Sequence, residues 1–160
     1  MIMVLMGVSG SGKTTIGHLL AQRLAWPFVD GDDLHPQANI DKMTQGVPLT
    51  DEDRWPWLER IRSVMREQAR EQQNLIVACS ALKQEYREYL SDGVAITWVY
   101  LEASPEVLRE RMEHRAGHFM KAGMLESQLE TLEVPQDALQ VDVEKDPAEV
   151  VEQIVRQVAP

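Results

Sequence analysis

The chain has 160 residues, 44% of them hydrophobic and 26% charged, a composition that suits one globular domain with a sizeable core. Its net charge of −10 argues against partners such as nucleic acids and anionic membranes, because both are bound through basic patches. Its one cysteine, Cys79, excludes an intrachain disulfide and a cysteine cluster for zinc.

The first predicted element is the apolar strand Ile2–Met6. It is too short to span a membrane and lacks the basic lead-in of a signal peptide, so we expect a cytoplasmic protein. Further runs rich in Val, Ile, Leu or aromatic residues predict four more strands. These strands are Pro27–Asp30, Asn74–Cys79, Ala95–Leu101 and Leu139–Val143.

Segments with helical periodicity lie between the strands. Apolar residues recur at helical spacing after Lys13, and the polar stretch 33–50 predicts a short helix with loops. The other predicted helices are Glu52–Gln72, Lys83–Leu90, Pro105–His114 and Pro147–Val158. Strands that alternate with helices predict a three-layer α/β fold, in which helices cover both faces of a parallel sheet and ligands bind at the carboxyl ends of the strands. The pattern leaves the strand order open.

The most specific motif lies between the first strand and the first helix. Its residues match the phosphate-binding pattern G-x-x-x-x-G-K-[ST]. They are Gly7, Val8, Ser9, Gly10, Ser11, Gly12, Lys13 and Thr14. Such a loop turns its backbone N–H groups around a polyphosphate, with the lysine on the β- and γ-phosphates and the threonine hydroxyl on Mg²⁺. The motif predicts that the chain binds a nucleoside triphosphate.

Three carboxylates follow the second strand, in Asp30-Gly31-Asp32-Asp33. For the pair Asp30 and Asp32, we predict that one carboxylate joins the magnesium site and the other acts as the general base toward an acceptor hydroxyl. The alternative is a solvated turn in which Asp33 caps a helix. The third strand ends without a carboxylate, which strengthens the assignment of Asp30. That absence also argues against a GTPase, as does the lack of an Asn-Lys-x-Asp segment.

Cationic side chains cluster between residues 109 and 121 of this acidic chain. They are Arg109, Arg111, His114, Arg115, His118 and Lys121. Arg111 and Arg115 are four residues apart and would project from one helical face, where they would neutralise a moving phosphoryl group as catalytic residues. The alternative is a solvated face that pairs with Glu106, Glu110 and Glu113.

Four residues are candidates for binding the acceptor. Arg54 would hold a carboxylate bidentately, unless it pairs with its acidic neighbours in the capping-box segment that begins at Thr50. Lys83 and Arg87 share a helical face that we expect to point toward the active edge of the sheet. His35 would contact the substrate or cap a turn. Cys79 is expected to pack in the core rather than to act as a nucleophile.

Taken together, these residues resemble the gluconokinase family, small P-loop sugar-acid kinases related to shikimate kinase and the nucleoside monophosphate kinases. The resemblance runs through most of the chain. Its more specific segments are Leu34-His35-Pro36, Cys79-Ser80-Ala81-Leu82-Lys83 and Gly117-His118-Phe119-Met120-Lys121.

The resemblance implies that ATP is the phosphoryl donor and the 6-hydroxyl of D-gluconate the acceptor. It implies one kinase domain over residues 1–160, with a substrate-binding region over 32–58 and a short lid over 115–123. By the same resemblance Asp30 would hold Mg²⁺ through water, Asp32 would take the acceptor proton, and Arg54 would bind the substrate carboxylate or hydroxyls. His118, in the lid, is a further substrate-binding candidate. The relatives are often homodimers, so a homodimer is possible.

Other functions stay open at this point. Within the kinases, the acceptor could be shikimate or a different aldonate. A nucleoside monophosphate acceptor is disfavoured, because its phosphate favours clustered arginines and residues 33–60 contain only Arg54 and Arg60. A nucleotide-dependent switch would bind ATP without transferring its phosphoryl group.

Overall fold

A computed structural model describes residues 1–114 and 123–158 of the chain. Five parallel strands form one sheet in the order β2-β3-β1-β4-β5, so the strand that leads into the glycine-rich loop lies at the centre. The strands are β1 (Ile2–Met6), β2 (Phe28–Asp30), β3 (Leu75–Ala78), β4 (Ile96–Glu102) and β5 (Leu139–Asp142). The helices are α1 (Lys13–Leu24), α2 (Gln37–Thr44), α3 (Asp51–Arg70), α4 (Gln84–Ser91), α5 (Pro105–Glu113), α6 (Gly123–Thr131) and α7 (Pro147–Val158).

The side chains of β1 divide the core into two layers. Val4 and Met6 pack in a cluster with residues of α3 and α4, whereas Met3 and Leu5 pack on the opposite face with residues of α1 and α7. Every residue of β1 is buried, as expected for a central strand covered on both faces. The predicted three-layer α/β fold is therefore confirmed.

Helix starts follow the capping signals in the sequence. The Thr50 hydroxyl accepts from the Asp53 N–H while the Asp53 carboxylate accepts from the Thr50 N–H, which completes the capping box of α3. The Ser104 hydroxyl accepts from Val107 N–H at the start of α5. These caps fix where α3 and α5 begin, and α3 carries several site residues.

Helix α6 was not predicted from the sequence. Its buried positions are Met124, Leu125 and Gln128, so a polar residue interrupts the apolar stripe that would have revealed it. The carboxyl end of β2 also tightens into a short 3-10 turn over Gly31–Leu34. Both features adjoin the site described next.

None of the described helices is long and apolar enough to cross a membrane. Cys79 is buried at the end of β3, and burial raises the pKa of its thiol to about 12. The thiol is therefore held in its unreactive protonated form, which fits a packing role.

Candidate active site

One cavity of about 350 Å³ opens at the carboxyl ends of the strands. It joins the glycine-rich loop after β1 to the 3-10 turn after β2 and to the first turns of α3. Its lining includes Ser9 through Ile16, Asp32, His35, Met43, Leu49, Arg54, Trp57, Ser80, Leu82, Arg111, Met124, Gln128, Val143, Lys145, Pro147 and Val150. The nucleotide-binding candidates and several acceptor-binding candidates therefore share one space.

The phosphate-binding loop keeps a tight turn that only glycine permits at two positions. Gly10 and Gly12 have φ of +85° and +93°. Lys13 Nζ donates to the carbonyl oxygens of Gly7 at 2.9 Å and Val8 at 3.0 Å, so the lysine bridges its own loop. Helix α1 begins at Lys13 with no side-chain cap on its first N–H groups. The loop thus offers a helix N-terminus and a lysine for a polyphosphate.

Thr14 and Asp30 meet beside this loop. Thr14 Oγ1 donates to Asp30 Oδ2 at 2.8 Å, and the Asp32 N–H donates to Asp30 Oδ1 at 3.0 Å. A Cβ on Gly31 would lie 2.4 Å from the Ala78 carbonyl oxygen, so glycine lets β2 turn closely against β3 between the two carboxylates. Asp32 lines the cavity, whereas the neighbouring Asp33 is exposed.

The donor atoms at this point suit Mg²⁺. A hydroxyl and a carboxylate are the hard oxygen ligands that this ion prefers, and it normally completes its shell with waters and substrate phosphates. No group of three or more His, Cys, Asp or Glu side chains that could hold a metal occurs in the part of the chain that the structure describes. The Thr14 hydroxyl and the Asp30 carboxylate supply part of such a shell, so the site suits an ion that is shared with a nucleotide.

Arg54 lies at the acceptor end of the cavity. It is 8% exposed, and its Nη1 donates to the Tyr86 hydroxyl at 3.1 Å. Within residues 1–114 and 123–158 no carboxylate lies within ion-pair distance of it. Of the acidic neighbours that offered the alternative assignment, Asp51 pairs with Lys83, Asp53 pairs with Lys42, and Glu52 is exposed.

His35 stands beside Arg54 in the same wall. Its ring stacks on Trp57 with centroids 4.2 Å apart, and its Nδ1 lies 3.2 Å from Asn39 Nδ2. Burial lowers the pKa of His35 to about 4, partly opposed by the nearby Asp32 carboxylate. The imidazole is therefore neutral near pH 7 and presents a hydrogen-bonding group to the cavity.

Two expected acceptor-binding residues lie outside the cavity lining. Arg87 is buried and donates to the carbonyl oxygens of Ala81 at 2.7 Å and Glu133 at 2.8 Å, and it does not line the cavity. Lys83 precedes α4 and forms an ion pair with Asp51 at 2.9 Å, also outside the cavity lining. The shared helical face expected for this pair is absent because Lys83 precedes the helix.

Arg111 lines the nucleotide end of the cavity. Its Nη1 donates to the Gly10 carbonyl oxygen at 3.3 Å and its Nη2 to the Val143 carbonyl oxygen at 2.6 Å. It thereby connects α5 to the phosphate-binding loop and to the loop after β5. Arg115 and His118, like residues 115–122 of the lid expected over 115–123, lie outside the described residues.

Several lining residues had no functional assignment from the sequence. Gln128 Oε1 accepts from the Ser9 N–H at 2.8 Å, so α6 supports the phosphate-binding loop across 119 residues of chain. Met124, on the same helix, packs with Met43 and Leu49 of the acceptor end. Nothing local in the sequence indicates these contacts, because both are made by α6, a helix that was not predicted. Trp57 both stacks on His35 and donates from Nε1 to the Gly31 carbonyl oxygen at 2.8 Å.

A cavity with a phosphate-binding loop at one end and a buried arginine at the other is the arrangement of a P-loop kinase for small molecules. The family model described as shikimate kinase matches residues 9–159. A gluconokinase from Gluconobacter oxydans is 48% identical over 96% of this chain and 89% of its own length. The thermosensitive gluconokinase of Escherichia coli is 47% identical over 94% and 83%. A solved gluconokinase from Sinorhizobium meliloti superposes with a TM-score of 0.88 at 44% identity, covering 98% of this chain and 90% of that one. The chain belongs to the gluconokinase family of ATP-dependent kinases.

Proposed function

We propose that this protein transfers the γ-phosphoryl group of ATP to the 6-hydroxyl of D-gluconate and forms 6-phospho-D-gluconate. The observation that carries the proposal is Arg54, a buried guanidinium in the cavity with no carboxylate partner among the described residues. A buried cation without a counter-ion is costly, and a carboxylate ligand relieves that cost while orienting itself bidentately. An acidic small molecule therefore fits this end of the cavity.

The nucleotide occupies the other end in this proposal. The backbone N–H groups of residues 7–14 and the α1 N-terminus hold the phosphates, and Lys13 exchanges its two carbonyl partners for phosphate oxygens. Arg111, fixed on the Gly10 and Val143 carbonyl oxygens, adds positive charge beside the loop as the transferred group develops negative charge.

Thr14 and Asp30 would hold Mg²⁺, with Asp30 acting through a water as in the resemblance. The ion, when bound, neutralises phosphate charge and orients the polyphosphate. Asp30 also accepts from the Asp32 N–H, so the position of the metal-binding carboxylate is tied to the backbone of the residue that faces the acceptor.

Asp32 accepts the acceptor proton. The 6-hydroxyl oxygen forms a bond to the γ-phosphorus as the bond from that phosphorus to the bridging oxygen of ADP breaks, and the hydroxyl proton passes to the Asp32 carboxylate. Arg54 and His35 hold the far end of the acid and set its distance from the phosphorus. Arg115 and His118 complete the assignment as lid residues, Arg115 on the phosphoryl group and His118 on the substrate.

A coupled ADP-release assay with a panel of acceptors tests the proposal. D-Gluconate, other aldonates, shikimate and the neutral polyol D-glucitol are compared at fixed ATP. We expect the highest kcat/KM with D-gluconate, and product analysis should place the phosphate on O6. Turnover of a different acid with none of D-gluconate would reject the substrate, and ATP binding without turnover of any acceptor would reject the kinase assignment itself.

We also propose that the protein forms a homodimer and is located in the cytoplasm. These two proposals rest on the family resemblance and on the acidic, cysteine-poor composition. Sedimentation of the purified protein at micromolar concentration tests the first, since the 18.2 kDa chain and its dimer separate clearly.

A further inference from the structure

The Tyr86 hydroxyl lies between two groups of opposite charge. Arg54 Nη1 donates to it at 3.1 Å, and the hydroxyl donates to Asp51 Oδ1. Lys83 Nζ donates to the same carboxylate oxygen at 2.9 Å. A guanidinium only donates and a carboxylate only accepts, so the single hydroxyl proton must point to Asp51 and its lone pair to Arg54. The direction of the whole chain of hydrogen bonds is fixed.

This chain of contacts runs from the surface to the cavity. The side chains of Asp51 and Lys83 are 38% and 29% exposed, whereas Tyr86 is 1% and Arg54 is 8% exposed. Only Arg54 of the four lines the cavity. Hydrogen bonds from Tyr86 and Lys83 hold the pKa of Asp51 below its ordinary value, and burial together with the Asp51 contact raises the pKa of Tyr86. A charged carboxylate and a neutral phenol therefore persist across the physiological range.

An arginine, a tyrosine and a carboxylate meet a second time at the interface between α3 and α4. The Tyr89 hydroxyl donates to Glu59, and the Arg62 guanidinium lies 3.8 Å from the centre of the Tyr89 ring. Both tyrosine rings pack edge-on against Trp55, at 5.5 and 5.4 Å. This second set lies outside the cavity lining, so it provides a built-in control.

The two arginines differ in what balances their charge. Arg62 forms ion pairs with Glu59 at 2.8 Å and with Asp92 at 3.6 Å. Arg54 instead donates to a neutral hydroxyl, and Asp51 stands one hydrogen bond further away. The phenol therefore fixes the guanidinium without neutralising it, and leaves its charge available to an anionic ligand.

Building on the function proposed above, we infer that Tyr86, held in place by Asp51, is a positioning residue that aims Arg54 at the carboxylate of the acceptor. The preference for an acidic acceptor therefore depends on Tyr86 of α4 and on Asp51 at the exposed start of α3. Lys83 contributes through Asp51 rather than by touching the substrate. The arrangement gives a role to two residues, Tyr86 and Asp51, that do not line the cavity.

The test compares Tyr86→Phe with Tyr89→Phe, each of which removes one hydroxyl from the same helix. Tyr86→Phe is expected to raise KM for D-gluconate about tenfold, the size typical of disturbing a hydrogen bond to a charged group, with KM for ATP unchanged. It should also reduce the preference for D-gluconate over D-glucitol, because the acid end loses its oriented partner. Tyr89→Phe should leave all of these constants at the wild-type values.

Asp51→Asn provides a second variant, at the exposed end of the hydrogen bonds that link Asp51 through Tyr86 to Arg54. Misfolding is a smaller concern at this exposed position. It should raise KM for D-gluconate in the same direction by about threefold, since the carboxylate that orients the phenol loses its charge. Melting temperatures of all variants are measured alongside. Equal KM changes for D-gluconate and ATP, or equal behaviour of Tyr86→Phe and Tyr89→Phe, would overturn the positioning role.

Failure of this inference is separable from failure of the proposed function. If the wild-type protein phosphorylates D-gluconate but Tyr86→Phe matches Tyr89→Phe, the function stands and the positioning role falls. If the wild type uses another acid, the same comparison with that acid decides whether Tyr86 positions Arg54.

Discussion

Asn39 Nδ2 lies 3.2 Å from His35 Nδ1 and also donates to the Asp53 carbonyl oxygen at 2.9 Å. A carbonyl oxygen only accepts, so the Asp53 contact identifies the amide nitrogen, whose second hydrogen then points to His35. His35 Nδ1 must therefore accept, and in the neutral ring the proton resides on Nε2. Asn39 thus fixes the tautomer of His35, in which the Nε2–H group is the hydrogen-bond donor.

The tautomer can be tested with two amide replacements of His35. Glutamine places its amide nitrogen near the position of Nε2, whereas asparagine reaches only as far as Nδ1. We expect His35→Gln to keep KM for D-gluconate within about threefold of wild type and His35→Asn to raise it about tenfold, the effect of losing one hydrogen bond in a buried site. KM for ATP should be unchanged in both. The reverse order of the two variants would contradict the assignment of the proton to Nε2.

Stability should depend on pH through His35. Its pKa falls from the ordinary 6.5 to about 4 in the folded state, because burial disfavours the charged ring. Between these values the unfolded chain binds a proton that the folded chain does not, so the free energy of unfolding rises with pH from about 4 to 6.5 and levels off above. The contribution is about 3 kcal/mol at most. Urea unfolding measured across this range should show that the free energy of unfolding rises less steeply with pH in His35→Gln than in the wild type. An equal dependence on pH in the two proteins would contradict a buried neutral ring.

Asp32 and Asp33 form a matched pair for the proposed base. Asp32 lines the cavity and Asp33 is exposed, one residue further along the same 3-10 turn. Asp32→Asn is expected to lower kcat by about 10²- to 10⁴-fold, the range for a lost general base, while ATP binding is retained. Asp33→Asn should leave kcat unchanged. Equal kcat values in the two variants would show that Asp32 is not the general base.

Gly31 should tolerate no side chain. A Cβ there would lie 2.4 Å from the Ala78 carbonyl oxygen, and backbone atoms cannot yield as a flexible side chain can. Gly31→Ala should reduce the free energy of unfolding by about 1–3 kcal/mol, as overpacked sites do, and should also lower activity because Asp30 and Asp32 move apart. Gly123→Ala is the control, since a Cβ at Gly123 meets nothing within 4 Å. Equal unfolding free energies for the two variants would show that β2 and β3 do not pack this closely.

The donor half of the site was readable in the sequence because it is built from consecutive residues. The loop over residues 7–14, its strand and its helix are local, and so is the turn that carries Asp30 and Asp32. The fold class followed from the alternation of strands and helices, and the structure confirmed it with β1 at the centre.

The acceptor half depends on contacts between distant segments, and prediction was weaker there. Arg87 resembled a ligand-binding cation, but two carbonyl oxygens, one of them 46 residues away at Glu133, occupy its guanidinium. Lys83 is engaged by Asp51, 32 residues earlier. Arg54 was evenly balanced between the substrate and its acidic neighbours, and only the tertiary contacts show that Asp51 pairs with Lys83 and Asp53 with Lys42.

The continuity of the cavity has a consequence for inhibition. Because the phosphate-binding loop and Arg54 line one cavity of about 350 Å³, a single molecule that joins a nucleotide to an aldonate through its phosphate chain would touch both ends at once. The second contact would then form within a tethered ligand, at an effective concentration in the millimolar range for a short flexible connection. Such a bisubstrate compound should compete with ATP and with the acid alike. The length of connection that gives the highest affinity would indicate the distance over which the phosphoryl group is transferred.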